Sequence, residues 1–259
     1  MNPSEPIIQI QNLKKSYGNT LVLKGINLDI YPGQIIGYIG PNGAGKSTTI
    51  RILTGLDASF EGQVTIAGLD IRKQSLEVKK IIGYVPENAE LYDVLTPMEF
   101  LSLVGKLHHL PDATIRERAT RMLQFFGLGD NLADRMDTFS KGMRQKVLLI
   151  SGLLHNPQII FLDEPLSGLD ANSVIMVKEI ISRLAAEGKT IFYCSHMMDV
   201  VEKVAHRIIL ITDGQILADG SFKELQQQEG DTLERIFSQL TGKSNIENLA
   251  NEFLSSFDQ

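Results

Sequence analysis

The stretch that decides the fold is Gly40-Pro41-Asn42-Gly43-Ala44-Gly45-Lys46-Ser47-Thr48, which fits the phosphate-binding pattern G-x-x-x-x-G-K-[ST]. Residues 34–39 before it predict an apolar strand, and residues 49–56 after it predict a helix. The glycines let the backbone wrap around a phosphate, so that N–H groups and the positive end of the helix dipole face the anion. Lys46 would reach the terminal phosphates and the Ser47 hydroxyl would ligate Mg²⁺. A chance glycine turn fits these flanks poorly, so the sequence predicts a nucleoside triphosphate site.

The composition is that of a globular chain that buries a sizeable core. The 259 residues are 43% hydrophobic and 22% charged, which suits one large domain or a domain with an appended piece. The formal net charge of −6 argues against binding to nucleic acid, although a local basic patch stays open. Cys194 is the only cysteine, so no intrachain disulfide can form and a reducing compartment is expected. The first residues lack a signal-peptide pattern, and no apolar run approaches the roughly 18 residues of a membrane span.

Apolar periodicity predicts an α/β domain with a helical insertion. Strands are predicted at residues 7–10, 21–30, 34–39, 63–67, 81–85, 159–162, 190–194, 208–211 and 215–218. The runs at 159–162 and 190–194 are continuously apolar, which is typical of strands covered by helices on both faces. Helices are predicted at 97–107, after the capping box that Thr96 and Glu99 form, at 115–126 and at 142–155. We therefore expect a domain over residues 1–220, with a helical subdomain at about 88–157, and a helical extension over 221–259.

The extension is predicted to hold two amphipathic helices. The first covers residues 231–241, and the second follows a capping box at 244–247 and continues an apolar stripe to Phe257. The second helix carries Glu247, Glu252 and Asp258 and no basic residue, so it is not expected to lie on a membrane surface. Docking on its own domain and contact with a partner or a second copy both stay open.

Two adjacent carboxylates, Asp163 and Glu164, follow the predicted strand at 159–162. At the tip of a buried strand they are costly unless they face a metal or a reaction centre. Beside a phosphate loop, Asp163 is a candidate for holding Mg²⁺ through water, and Glu164 is placed to polarise the water that attacks the γ-phosphate. A salt-bridged strand end is the alternative interpretation.

Together these segments resemble the ATPase subunit of an ABC transporter, in the family's order, over roughly residues 7–220. Residues 139–145, Phe-Ser-Lys-Gly-Met-Arg-Gln, resemble the family signature LSGGQ, and residues 165–170 resemble the segment after the Walker B strand. Ser195-His196 resembles the switch histidine, and Tyr17 the aromatic residue on which adenine stacks. The resemblance implies a P-loop NTPase of the ABC type, with a mixed sheet core, an N-terminal antiparallel β region and a helical subdomain insertion.

The resemblance also implies a role for each matched residue. Lys46, Glu164 and His196 are the expected catalytic residues, and Ser47, Glu87 and Asp163 the expected Mg²⁺ ligands. The nucleotide is expected to contact the loop from Gly40 to Thr48 and also Tyr17, Glu87, Ser140, Gly142 and the communicating acid Asp170. Ser140 and the Gly142 backbone can donate to γ-phosphate oxygens at a helix N-terminus. The spacing does not show whether these two residues contact the nucleotide of their own chain or that of a second copy. The family resemblance implies the second, with two subunits arranged head to tail around two ATP molecules.

Two positions depart from the common family pattern. Glu87 follows Pro86 where glutamine is usual, and it adds a negative charge beside the triphosphate. Lys141 and Met143 stand in the signature where glycine and glutamine are usual, while Ser140 and Gly142 are kept. Both departures resemble the subgroup that works with separately encoded export permeases for drugs, sodium, polysaccharides or lipids.

The function expected from this resemblance is ATP hydrolysis that powers a separate membrane permease, from the cytoplasmic face of the membrane. The permease is expected to contact residues 91–107, where apolar side chains exceed the needs of one helix face: Leu95, Met98, Phe100, Leu101 and Val104. Most of these side chains are expected to belong to the core and some to be uncovered. The alternative is a soluble ABC ATPase without a permease, of which the Fe–S cluster assembly type is hardest to exclude. A catalytically dead regulatory cassette is disfavoured, since all the expected catalytic residues are present. Whether the dimer is homomeric or heteromeric stays open.

Overall fold

The computed structural model describes residues 5–87, 91–226, 228, 230–241 and 257, which form two sheets and the helices packed on them. The strands are β1 (Ile8–Tyr17), β2 (Thr20–Ile30), β3 (Ile35–Ile39), β4 (Glu61–Ile66), β5 (Leu69–Asp70), β6 (Ile82–Val85), β7 (Ile159–Asp163), β8 (Thr190–Cys194), β9 (Arg207–Thr212) and β10 (Gln215–Gly220). The helices are α1 (Lys46–Leu53), α2 (Ser75–Ile81), α3 (Pro97–Leu107), α4 (Asp112–Phe125), α5 (Lys141–Leu153), α6 (Ala171–Ala186), α7 (Met198–Val204), α8 (Phe222–Leu225) and α9 (Leu233–Leu240).

The larger sheet has six strands in the order β10-β9-β3-β8-β7-β6. All neighbours pair in parallel except β9 and β10, which form the predicted antiparallel hairpin. Every residue of β3, β7 and β8 is buried, because helices cover both faces of the sheet. The carboxyl ends of these strands therefore meet at one edge, where loops of different chain segments come together.

The smaller sheet is antiparallel and has the order β2-β1-β4-β5. β1 extends to Tyr17, well beyond the predicted strand at 7–10, because irregular register shifts after Ile10 let its polar second half stay paired with β2. The alternation of buried and exposed residues in the second half of β2 shows that one face of this strand is buried. A mixed sheet core with an N-terminal antiparallel β region, as the sequence predicts, is confirmed.

The helical part between β6 and β7 is formed by α3, α4 and α5, whose apolar faces pack into one core with the sheet. The predicted capping box is present: Glu99 N donates to Thr96 Oγ1 at 3.2 Å, and Thr96 N donates to Glu99 Oε2 at 2.8 Å. Two of the three predicted helices begin earlier than expected: α4 at Asp112 rather than 115, and α5 at Lys141 rather than 142.

Several elements were not predicted, namely β5, α2, α6, α7 and α8. The longest of them, α6, has a clear cap, since Ser173 N donates to Asp170 Oδ1 at 2.9 Å. Its buried residues Val177, Ile181 and Ala185 recur every four positions, so the pattern of a helix is present in the sequence. α1 begins at Lys46, three residues before the predicted start, because the phosphate loop runs directly into its first turn.

The first predicted C-terminal helix is present as α9, and it docks on α7. Leu233 and Ile236 are buried, and Leu233 N donates to Glu202 Oε2 at 3.2 Å. The second predicted helix, and the first residues of the predicted subdomain at 88–90, lie outside the described residues. None of the helices in the described part of the chain has the length and hydropathy that a membrane span requires.

A stacked pair of histidines joins the helical part to the sheet. The rings of His108 and His155 lie 3.6 Å apart at an angle of 10°, and His155 Nε2 lies 2.8 Å from the Ile82 carbonyl oxygen. Burial, and then the neighbouring His108, lower the pKa of His155 to about 4 from its ordinary value of 6.5. The folded chain therefore binds fewer protons here than the unfolded chain does between these two values.

We expect the free energy of unfolding to fall as the pH drops from about 6.5 to about 4, because the unfolded chain takes up the proton first. His155→Gln keeps a donor for the Ile82 oxygen and should flatten this dependence. Urea unfolding between about pH 4.5 and 7 measures the slope. His109→Asn changes an exposed neighbour and should keep the wild-type slope. Equal slopes in both variants would contradict the assignment to His155.

Candidate nucleotide site

The carboxyl edge of the large sheet opens into a cavity of about 610 Å³. The phosphate loop follows β3, Asp163 and Glu164 end and follow β7, and His196 follows β8. The cavity is lined by residues Gly40–Gly43, Gly45–Thr48, Tyr17, Glu87, Asp163, Glu164 and His196, together with Val22, Met198 and Phe237. The structure thus brings together the predicted loop, the predicted catalytic residues and the predicted Mg²⁺ ligands.

The glycines of the loop are required by its backbone and by its close packing. Gly43 and Gly45 have φ values of 82° and 105°, a region that side chains with a Cβ rarely adopt. A Cβ at Gly45 would lie 2.5 Å from Leu23 Cδ2, and one at Gly40 would overlap the carbonyl oxygen of Ile211. Both approaches tie the loop to neighbouring strands, so the backbone N–H groups at the start of α1 are held facing the cavity.

Lys46 is folded back over the loop. Its Nζ donates to the carbonyl oxygens of Gly40 at 2.7 Å and Pro41 at 3.1 Å, and the residue is only 9% exposed. Among the described residues it has no carboxylate partner within 4 Å. These two bonds use two of its three donors, and the third could bind an anionic oxygen in the cavity.

Asp163 lies in a crowded acidic corner. It is 5% exposed, and burial, followed by the charges of Glu87 and Glu164, raises its pKa to about 6, while hydrogen bonds with Cys194 and Ser47 oppose this rise. The described residues contain no cluster of three or more His, Cys, Asp or Glu side chains arranged around a metal. The donors here are a hydroxyl and one or two carboxylates, which fits Mg²⁺, since that ion takes few protein ligands and completes its shell with phosphate oxygens and water.

Glu164 is held in a strained conformation against the segment that follows β8. Its φ is 47°, unusual for a residue with a side chain. Oε2 accepts from Ser195 Oγ at 2.9 Å, and Oε1 accepts from His196 N at 2.8 Å and lies 2.8 Å from His196 Nδ1. A carboxylate has about four lone-pair sites, so one site on Oε2 stays free for a water molecule. The carboxylate therefore lines the cavity with its orientation fixed by the segment after β8.

The signature residues lie elsewhere. Ser140 caps α5, where its Oγ accepts from Met143 N at 3.2 Å, and Gly142 lies so close to Gly168 that a Cβ would stand 2.7 Å from the Gly168 oxygen. Asp170 caps α6, and hydrogen bonds from Ser173 hold the pKa of its carboxyl well below the usual range. None of the three lines the nucleotide cavity of its own chain.

Tyr17 stands at the rim of the cavity with 46% of its surface exposed. Its hydroxyl donates to Asp57 Oδ2 at 3.0 Å, and the Lys15 ammonium lies over one face of the ring at 4.7 Å. The ring is therefore fixed at its tip and on one face. The other face is the one that a base can stack on.

Three apolar lining residues were not predicted: Val22, Met198 and Phe237. Phe237 belongs to the apolar stripe of α9, which the sequence predicts as a helix face and not as part of the site. α9 reaches the cavity because it docks on α7, the helix that directly follows the His196 segment. No local pattern could have shown this contact, because it joins segments about forty residues apart.

Comparison with known protein families matches residues 23–167 to the family described as ABC transporter, which covers more than half of the chain. The chain belongs to the ABC transporter family. The matched residues include the phosphate loop, the signature segment and the carboxylates after β7.

Curated relatives agree with this assignment. The chain is 36% identical to the linearmycin resistance ATP-binding protein LnrL of Bacillus subtilis (strain 168) over 228 residues, which cover 88% of this chain and 73% of the relative. It is 32% identical to the Nod factor export ATP-binding protein I of Cupriavidus metallidurans over 244 residues, which cover 91% of this chain and 80% of the relative.

Solved structures agree as well. The ATP-binding subunit of an ABC transporter superposes with a TM-score of 0.85 at 28% identity, covering 91% of this chain and 99% of the other. A dimeric ATP-binding cassette in a post-hydrolysis state, bound to ADP and Pi, superposes with a TM-score of 0.76 at 28% identity, covering 83% and 98%. The chain is thus an ATP-binding and ATP-hydrolysing subunit that powers a membrane permease, and the soluble Fe–S alternative is not supported.

The glycine contacts generate a matched pair of variants. Gly40→Ala forces a Cβ against backbone, and we expect it to lower the free energy of unfolding by about 1–3 kcal/mol and to weaken nucleotide binding about tenfold or more. Gly43→Ala meets no heavy atom within 4 Å and should cost only backbone strain, about 1 kcal/mol. Urea unfolding and titration with a fluorescent ATP analogue measure both effects. Equal losses in the two variants would show that packing against Ile211 is unimportant.

Proposed function

We propose that this subunit drives export through its permease as a head-to-tail dimer on the cytoplasmic face of the membrane. In this dimer each ATP is bound by the phosphate loop of one chain and the signature segment of the other. The export role is supported by the relatives, whose names state resistance to linearmycin and export of Nod factor. The dimer is supported by the similar cassette that was solved as one.

The proposal rests on the separation between Ser140 and the cavity that holds Lys46 and Glu164. Ser140 is exposed at the start of α5, a helix of 13 residues, and the first turn of this helix carries no acidic side chain. Its unpaired N–H groups and dipole favour an anion. Since Ser140 does not line the nucleotide cavity of its own chain, we infer that the γ-phosphate of a second copy is its ligand.

Ser47, Asp163 and Glu87 would hold Mg²⁺ in the complete site, and Mg²⁺ bound there would neutralise charge on the phosphate oxygens. Lys46 donates to the terminal phosphates from its position over the loop. Glu164 Oε2 accepts a hydrogen bond from the attacking water, while Ser195 and His196 keep the carboxylate in place. His196 is 71% exposed at its side chain and can reach a γ-phosphate without leaving the segment. The Tyr17 ring stacks on adenine.

The permease contact is proposed for the segment around α3, where the expectation that most of the five apolar residues are core is met but none of them is uncovered. Phe100 and Leu101 are buried, and Leu95, Met98 and Val104 are half-buried against the core, so none of the five is a free docking residue. The exposed apolar residues of this region are instead Tyr92, Val94, Leu103 and Leu107. Of these four residues, Tyr92 and Val94 lie closest in sequence to Glu87, which lines the nucleotide cavity. A permease contact at Tyr92 and Val94 is therefore connected to the nucleotide cavity through a short chain segment.

A mixing experiment tests the dimer. Lys46→Ala and Ser140→Ala should each lower the ATPase rate about 100-fold or more, since each removes a donor to the phosphates. In a head-to-tail dimer, a mixture of the two variants contains one intact site per heterodimer. We expect the mixture to recover up to about a quarter of the wild-type rate, because half of the dimers are mixed and half of their sites are intact.

The control is a mixture of Lys46→Ala with Glu164→Gln, which damage the same half of the site. Every site in that mixture is damaged, so its ATPase rate should stay as low as that of each variant alone. Recovery in the control mixture, or none in the Lys46 and Ser140 mixture, would refute the shared site.

A charge at the proposed permease contact should uncouple transport from hydrolysis. Tyr92 and Val94 are 62% and 65% exposed, so Tyr92→Glu and Val94→Glu should leave the purified chain folded and its ATPase rate within about twofold. Export by cells carrying the permease should fall about tenfold or more, because an unpaired charge is desolvated on docking. Leu76→Glu, at an equally exposed position on α2, is the control. Loss of ATPase and export together would refute the contact.

A further inference from the structure

A second cavity, of about 530 Å³, lies at the opposite end of the large sheet from the nucleotide site. Its floor consists of the buried side chains Ile150, Leu154 and Ile160, at the end of α5 and the start of β7. Phe125 and Phe126 form one wall, with their rings edge to face at 5.7 Å, and Phe125 is 56% exposed. The volume and the apolar lining are those of a site for a small amphiphilic molecule.

The apolar cavity has a cationic rim made of Arg118, Arg121 and Lys189. Arg118 Nη1 donates to the Leu154 carbonyl oxygen at 3.0 Å, and Lys189 Nζ donates to Asn156 Oδ1 at 2.7 Å. Within the described residues, neither of these two cations has a carboxylate within 4 Å, whereas Arg121 pairs with Glu117 at 3.0 Å. Two positive charges are thus fixed by neutral oxygens beside an apolar cavity, and in the described part of the chain no carboxylate lies within 4 Å of them.

The apolar lining extends inward beyond the cavity. A small void of about 20 Å³ between β7, β8 and α6 has Phe126, Leu153 and Leu184 in common with the outer cavity. The outer cavity therefore has cations at its rim and apolar side chains on the side of α6. A chain molecule with a charged head fits this arrangement better than a polar ligand does.

We propose that this cavity is a binding site for a free carboxylate with a single acyl chain. The carboxylate binds Arg118 and Lys189, and the chain lies along the apolar floor toward α6. Uncompensated cations attract the anionic head, and the apolar lining makes the affinity depend on chain length. The site is separate from the nucleotide cavity and does not depend on the dimer.

The position of this site gives a bound ligand a route to the ATPase cycle. Ile150 and Leu153 are on α5, which Ser140 caps, and Ile180 and Leu184 are on α6, which Asp170 caps. A ligand between these helices opposes their relative movement and lowers the ATPase rate. This regulatory part rests on the proposed function, whereas the binding site itself does not.

Binding is tested with the full chain, without nucleotide, by calorimetric titration with decanoate. We expect one ligand per chain, and octanoate, shorter by two methylenes, should bind about tenfold or more weakly. The neutral 1-decanol and the cationic decyltrimethylammonium match the chain and should bind at least about tenfold more weakly, because they lack the charge that the rim attracts. Equal affinities for decanoate, 1-decanol and decyltrimethylammonium would show that the cavity binds any apolar chain without regard to charge, and would refute the proposal.

Variants locate the site. The double variant Arg118→Gln, Lys189→Gln should lose about tenfold or more in decanoate affinity. Arg116→Gln with Lys178→Gln removes the same charge from the same two chain regions, outside the cavity, and should bind as the wild type does. Leu184→Phe fills the cavity without changing charge and should also abolish binding, and urea unfolding confirms that it folds. Unchanged binding in the Leu184 and rim variants would refute the site.

Two further experiments test whether the cavity or its rim binds a membrane surface or the C-terminal segment instead of a fatty acid. Vesicles of phosphatidylglycerol should not bind the chain through Arg118 and Lys189; binding that the rim variant abolishes would assign the rim to a membrane surface. A peptide of residues 242–259 should not displace decanoate; displacement would assign the cavity to the acidic C-terminal segment.

The regulatory part is tested in the ATPase assay, where saturating decanoate should lower the wild-type rate at least about twofold and leave the rate of the rim variant unchanged. An unchanged wild-type rate would refute the regulatory part alone.

Discussion

The parallel pairing of β3, β7 and β8 is the constraint on which the site depends. Tyr38 of β3 and Asp163 of β7 both pair with Cys194 of β8, so the three strands end at the same level. The phosphate loop, the carboxylate pair and the His196 segment each begin within two residues of that level. Because every residue of these strands is buried, the register cannot slip without moving apolar side chains into water. The catalytic geometry is therefore fixed by the core and not by the loops.

This arrangement lowers the stability of the fold, because it buries carboxylates and strains the backbone beside them. Asp163 is buried beside two other acidic side chains, and Glu164 is held at a positive φ. Both conditions destabilise the fold in the absence of a ligand. They also leave the corner short of positive charge, apart from Lys46, so a cation together with a phosphate chain complements it. With Mg²⁺ bound beside the phosphates, the acidic groups that weaken the empty domain would favour binding of the metal–nucleotide complex.

Much of this site could be predicted from the sequence because its signals are local. The phosphate loop needs glycines at fixed offsets, the strand before Asp163 is a continuous apolar run, and Thr96 with Glu99 forms a local cap. Phe237 could not be predicted, since its place in the cavity depends on the docking of α9 on α7. The exposure of Val94 and the burial of Phe100 were likewise undetermined, because helix periodicity shows which residues share a face but not what covers it. The helix α6 is a different case: it was not predicted, although its Asp170 cap and its apolar residues at helical spacing are present in the sequence.

The apolar cavity is joined to the signature residue Ser140 and to Asp170 by the same two helices. α5 carries Ser140 at its start and borders the apolar cavity at its end, and α6 does the same with Asp170 and Leu184. In the proposed dimer, closure around ATP would move the starts of these helices, whereas the floor residue Ile160 belongs to the central sheet. A ligand between the helix ends and the sheet would then have different contacts in the open and closed states. That difference in contact energy is what allosteric coupling requires, and distance alone would not supply it.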